Sequence, residues 1–87
     1  DLIDVREQIE WDQAHIDGAE LRPMSTINDW YMDLATDRKL IFYCRSGNRS
    51  AQVVRALIDQ AGFEDVWNMG GGVIRWADSG LDLVTDA

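Results

Sequence analysis

Cys44-Arg45-Ser46-Gly47-Asn48-Arg49-Ser50 holds the only cysteine of an 87-residue chain, and its flanks decide the fold. Before it, Leu40-Ile41-Phe42-Tyr43 is a short apolar and aromatic run with the character of a buried strand. After it, Val54, Leu57, Ile58 and Ala61 recur at i, i+3, i+4 and i+7, the spacing that lines one face of a helix. The cysteine therefore stands where a strand turns into a helix. The first turn of a helix offers N–H groups without intrahelical partners and the positive end of the helix dipole, so a thiolate at Cys44 is stabilised there. Arg45 and Arg49 add positive charge that favours the thiolate further. Ser46, Gly47 and Asn48 are small enough for the loop to curl and aim successive N–H groups at one centre, and Gly47 and Asn48 tolerate positive φ. The expected result is a cradle for a small anion above a reactive sulfur. A lone cysteine is more often a small packed hydrophobe. Here the nucleophile, the small-residue turn, both arginines and the helix start coincide, and the reactive reading is preferred.

Toward the amino terminus, Leu2-Ile3-Asp4-Val5 reads as a strand, followed by an acidic, weakly helical turn from Glu7 to Asp12. Asp4 is expected near the strand end, accepting loop hydrogen bonds or pairing with an arginine such as Arg6, and a structural use is preferred to a catalytic one. His15-Ile16-Asp17-Gly18-Ala19 is a loop with a turn-forming Asp-Gly pair, leading to a brief extended piece, Glu20 to Arg22, closed by Pro23. His15 is the only histidine; with no partner visible it reads as a hydrogen-bonded structural residue before a general base. One histidine and one cysteine far apart make no metal site, and no cofactor is implied. Ser25 or Thr26 is expected to cap a helix whose apolar stripe, Ile27, Trp30, Tyr31 and Leu34, belongs to the core.

Toward the carboxyl terminus, Gly62 is a left-handed cap that brings Phe63 back against Ile58. Asp65 to Asn68 is short enough for another strand. Gly70-Gly71-Gly72 then leads into a short helix with Val73, Ile74, Trp76 and Ala77. The glycines either relieve crowding between passing segments or let this helix wall the pocket over Cys44. Strands alternating with helices indicate an α/β fold, a small, mostly parallel sheet with helices on both faces, whose ligands bind beyond the carboxyl ends of the strands.

Composition narrows the function classes. Hydrophobic residues are 46% of the chain, four of them tryptophan, which argues for a packed core and one domain spanning residues 1–87. One cysteine excludes an internal disulfide. Eight Lys plus Arg against 16 Asp plus Glu give a net charge of −8, which disfavours nucleic acid and anionic membranes as partners. Against that background Arg45, Arg49 and Arg55 concentrate positive charge at the proposed anion site. No run approaches the roughly 18 apolar residues of a membrane span. The chain starts at Asp1 and not at methionine, which implies a processed product or a segment of something longer. The expected compartment is the cytoplasm, or the periplasm where a leader has been removed.

Taken together, these stretches resemble the rhodanese-like sulfurtransferases. Leu-Ile-Asp-Val-Arg-Glu (2 to 7) resembles the family's first signature and Ala-His-Ile-Asp-Gly-Ala (14 to 19) its Gly-His-Ile-Pro-Gly-Ala element. Cys-Arg-Ser-Gly-Asn-Arg-Ser resembles its active-site loop, and Gly-Gly-Val-Ile-Arg-Trp (71 to 76) its closing element. Ala14 and Asp17 depart from the pattern. So does the start of the chain inside the first signature, which implies a sheet lacking the family's usual N-terminal edge strand and helix. The resemblance implies a catalytic Cys44 that takes a sulfane sulfur from thiosulfate or a related small anionic donor as a persulfide, then hands it to cyanide or a thiol acceptor. It implies substrate binding by Arg45, Ser46, Gly47, Asn48 and Arg49, with Asp4, His15, Gly71 and Trp76 in supporting roles. Two alternatives stand beside it. One is a persulfide carrier or interaction module loaded by a sulfur-relay protein. The other, ranked last, is a phosphatase or arsenate reductase, whose cysteine and arginine are separated by five residues where this chain has four.

Overall fold

The run Leu40–Tyr43 forms strand β3, an inner strand of a four-stranded, wholly parallel sheet in a computed structural model that describes residues 1–85. The other strands are β1 (Leu2–Asp4), β2 (Glu20–Leu21) and β4 (Val66–Asn68), in the spatial order β2-β1-β3-β4. Helices are α1 (Gln8–Gln13), α2 (Ile27–Trp30), flanked by single 3-10 turns, α3 (Asn48–Ala61) and α4 (Gly72–Asp78). Ile3 lies opposite Phe42, and Leu40 opposite Val66. Because side chains alternate along a strand, the sheet has two apolar faces. Ile3, Val5, Leu40, Phe42 and Val66 meet Trp30 and Leu34 and, from α3, Val53 and Leu57 on one. Tyr43 meets Ile16 and Val73 on the other, with Leu2, Met69 and Trp76 against them.

All four strands run the same way, so their carboxyl ends share one edge of the sheet. That edge gathers Cys44 after β3, Asn68 at the end of β4, and the β1 exit, Val5-Arg6-Glu7. Asp4 and Arg6 are the charged pair there. Arg6 Nη2 lies 2.8 Å from Asp4 Oδ2, the Arg6 backbone N–H donates to Oδ1 at 2.9 Å, and Nη2 also donates to the Ala14 carbonyl. Both residues are buried, and each satisfies the other. A lone buried charge at this point would cost about 3–5 kcal/mol.

Two local expectations are corrected. The buried stripe of α3 is Ser50, Val53 and Leu57, with Val54 half-buried beside it, whereas Ile58 is 46% exposed and Ala61 is exposed. The helix is phased by its start at Asn48, and a serine occupies the inward position that hydrophobic periodicity assigns to an apolar side chain. Phe63 follows the left-handed Gly62 cap and packs on the cluster that contains Leu57. Neither Ser25 nor Thr26 caps α2 through its side chain. Ser25 Oγ donates to Glu7 Oε1 and Thr26 Oγ1 to the Pro23 carbonyl, which also accepts from Trp30 Nε1. Among the described residues no helix is long and apolar enough to cross a membrane.

Candidate active site

Cys44 leaves the end of β3, and four residues later α3 begins. Gly47 turns the chain into the helix with a φ of 101°, in the left-handed region that side-chain-bearing residues rarely adopt. Among the described residues positive φ occurs only at glycine; Asn48 is simply the first residue of α3. The loop is braced from the far side by the start of α4. The Cys44 carbonyl accepts from the Val73 N–H at 2.9 Å and the Arg45 carbonyl from the Ile74 N–H at 3.1 Å. This approach needs a missing side chain, since a Cβ on Gly72 would lie 2.3 Å from Cys44 O and 2.6 Å from Arg45 O. Gly71 caps α4, and its N lies 3.1 Å from where a Gly47 Cβ would be. The glycine run therefore relieves crowding and brings α4 against the cysteine loop at once.

The sulfur is 1% exposed as a residue and sits over the helix start. The Gly47 N–H points at Sγ from 3.1 Å and Ser50 Oγ lies 3.5 Å away. Burial pushes the Cys44 thiol up. Hydrogen bonds from the Ser50 side chain and from the backbone N–H groups of Ser50, Gly47 and Ser46 outweigh it and hold the thiol below its ordinary value. Oriented donors thus surround a sulfur whose thiolate they favour.

The two loop arginines differ. Arg45 is exposed and has no ion-pair partner among the described residues, and the same holds for Arg55 and Arg75. Arg49 is half-buried and bound in bidentate fashion by Glu10 of α1, at 2.8 and 2.7 Å. Its charge is felt at Cys44, but both terminal nitrogens donate to the Glu10 carboxylate. Ser46 and Asn48 lie exposed on the rim, and Gly47 is buried. His15 stacks on Trp11 with ring centroids 3.6 Å apart, and its Nδ1 is 3.0 Å from the Trp11 carbonyl. Trp76 donates to the Asp82 carbonyl and fills the second apolar face. Asp4, His15 and Trp76 hold the elements around the loop and are engaged there.

Glu10, Ser50 and Asn68 join the site without having been singled out as site residues. Ser50 closes the segment that begins at Cys44 and is a serine on an inward helix position. Asn68 is polar at a strand's carboxyl end, the edge where ligands bind. Nothing in the sequence links Glu10 to Arg49, 39 positions away. The Arg49 guanidinium draws the Glu10 carboxyl down to about 2 from an ordinary 4.5. A carboxyl lowered in the folded state contributes stability above pH 4.5 that is lost as pH falls through about 2. Glu10→Gln is expected to cost about 1 kcal/mol at neutral pH, allowing for solvent screening. That difference from the parent should shrink to nothing in urea titrations as pH drops from 5 toward 2; a pH-independent difference would refute it.

The family model described as rhodanese-like domain matches residues 1–79. The probable adenylyltransferase/sulfurtransferase MoeZ of Mycobacterium tuberculosis is 46% identical over 78 residues, which are 87% of this chain and 20% of that protein. The chain therefore spans a minor part of that relative. A sulfurtransferase of Allochromatium vinosum is 40% identical over 83 residues, covering 95% of this chain and 77% of its own length. Among solved structures, a rhodanese-related protein of Thermoplasma volcanium superposes with a TM-score of 0.85 at 30% identity, over 95% of this chain and 81% of that one.

Proposed function

Because the chain belongs to the rhodanese-like domain family, we propose that it is a sulfurtransferase working through a persulfide on Cys44. The observation that carries this reading is the buried Cys44 Sγ, 3.1 Å from the Gly47 N–H at the start of a 14-residue helix. In the first half-reaction the Cys44 thiolate attacks the sulfane sulfur of thiosulfate or a related anionic donor. The donor's S–S bond breaks with its electron pair going to sulfite, and Cys44 is left as a persulfide. In the second, cyanide or a thiolate attacks the outer sulfur, and the electron pair of the breaking bond returns to Sγ. This is nucleophilic covalent catalysis under fixed N–H donors. Exposed Arg45 meets the incoming anion, with Ser46 and Asn48 on the same rim. Arg49 acts through Glu10 by holding α1 against the loop.

The test is intact-mass spectrometry of the protein after incubation with thiosulfate and again after cyanide. A gain of one sulfur that cyanide removes is the expected result. No gain from thiosulfate would leave the second reading, a carrier loaded by a protein donor. That reading draws on the MoeZ resemblance, where the similar region is a fifth of a protein named for two activities. Phosphatase or arsenate reductase chemistry ranks below both. The loop is one residue short for an oxyanion of that size, and Arg49 is already bound by Glu10.

A further inference from the structure

Ser50 is completely buried and carries one hydroxyl proton, yet two acceptors compete for it. Cys44 Sγ is 3.5 Å from Ser50 Oγ, and Asn68 Oδ1 is 2.5 Å from the same oxygen. The Asn68 amide is oriented by its other end, since Nδ2 donates to the Gly47 carbonyl at 3.2 Å and so presents Oδ1 to the serine. A hydroxyl with one proton cannot serve both acceptors, and which one wins depends on the charge of the sulfur. A neutral thiol or a persulfide Sγ is a weak acceptor, so the amide oxygen takes the proton. A thiolate is a strong one.

We propose that Asn68 is a positioning residue for Cys44: its Oδ1 holds the Ser50 proton while Sγ is uncharged and yields it to Sγ when Sγ is a thiolate. In the sulfur transfer proposed above, on which this consequence rests, the persulfide forms with the hydroxyl turned to Asn68. When the acceptor attacks the outer sulfur, the electron pair of the breaking S–S bond arrives on Sγ and the hydroxyl turns to meet it. The swing moves no proton between heavy atoms; it redirects one hydrogen bond toward the leaving group.

Other charges bear on the same sulfur. Arg49 of α3 with its partner Glu10 of α1, Arg45 in the loop, Arg75 of α4, whose stem lies where a Gly71 side chain would be, and the buried Asp4–Arg6 pair beyond β1 make up the surroundings at this end. All of them are kept when Asn68 is replaced, so a double-mutant cycle separates their contribution. The readout is the pH dependence of Cys44 alkylation by iodoacetamide, which reports thiolate and does not require any sulfur transfer. Asn68→Ala should lower the midpoint by roughly 0.4–1 unit, the equivalent of one hydrogen bond that no longer has to be given up on ionisation. In a Ser50→Ala background the same change should do nothing. Ser50→Thr, which keeps the hydroxyl, should restore the effect, and Asn68→Asp, which keeps an acceptor and adds charge, should move the midpoint upward. An Asn68→Ala shift of equal size with and without Ser50, or no shift in either, overturns the proposal. A protein that gains no sulfur from thiosulfate but shows the coupled shift would remove the sulfurtransferase reading and leave this one standing.

Discussion

Cys44→Ser is expected to abolish sulfur uptake from thiosulfate while leaving the fold in place. The cradle favours an anion. Backbone N–H groups and the Ser50 hydroxyl hold the thiol below its ordinary value against the opposing effect of burial, so the nucleophilic thiolate is easier to form than at an ordinary buried cysteine. A serine hydroxyl needs a base to remove its proton, and none stands ready. His15 is stacked on Trp11 with Nδ1 at the Trp11 carbonyl, and Glu10 of α1, the carboxylate that reaches the loop through Arg49, is tied to that arginine. Loss of a lone nucleophile in such a setting costs at least roughly 10⁴-fold in turnover. The fold should tolerate the change, because an oxygen in place of Sγ remains within reach of the Gly47 N–H and is smaller than the sulfur. A change within about 1 kcal/mol in urea unfolding is expected. Persistent sulfur gain by mass, or undiminished cyanide-dependent turnover, would show that the reacting sulfur is not on Cys44.

Parts of this site were legible because they are local. Strand, loop and helix around Cys44 announce themselves through a short apolar run, small residues and a helical period, and each of those signals acts over fewer than ten residues. Asp4 with Arg6 was readable for the same reason, being two apart on an exit from a strand. The phase of α3 was not. Counting apolar residues alone favours Ile58 and Ala61, while the fold turns Ser50 inward to serve the sulfur and leaves Ile58 in solvent. A buried polar residue with a functional partner is invisible to a hydrophobicity pattern. Long-range pairing was equally hidden. Arg49 reads as a free cation in the loop until α1 brings Glu10 to it, and Asn68 reads as a strand-end polar residue until the parallel register sets the β4 terminus beside the β3 terminus. What the fold adds is the common edge of four parallel strands, and that edge is a property of topology and not of any one segment.

Gly72→Ala is where that added information has its largest structural consequence. The residue opens α4 against the loop that follows β3, and its missing side chain lets the Cys44 and Arg45 carbonyls reach the Val73 and Ile74 N–H groups. An alanine Cβ would sit 2.3 and 2.6 Å from those two carbonyl oxygens. Both are backbone atoms, so no rotamer change relieves the clash. The left-handed φ of 56° adds strain of about 1–2 kcal/mol, and moving α4 away forfeits two hydrogen bonds at about 1 kcal/mol each. A total of about 3–4 kcal/mol is expected, at the upper end for a single substitution. A chain of this size holds about 5–10 kcal/mol in all. Gly80→Ala supplies the control, since Gly80 has a φ of 83° with nothing within 4 Å of its would-be Cβ; it carries the conformational strain without the clash. Urea unfolding of the two variants should therefore differ by about 2 kcal/mol. The Cys44 alkylation midpoint should rise in Gly72→Ala alone, because the loop that aims its N–H groups at Sγ is held in place by α4. Two equally mild variants, with unchanged alkylation profiles, would mean that the close approach of α4 does not set the shape of the cysteine loop.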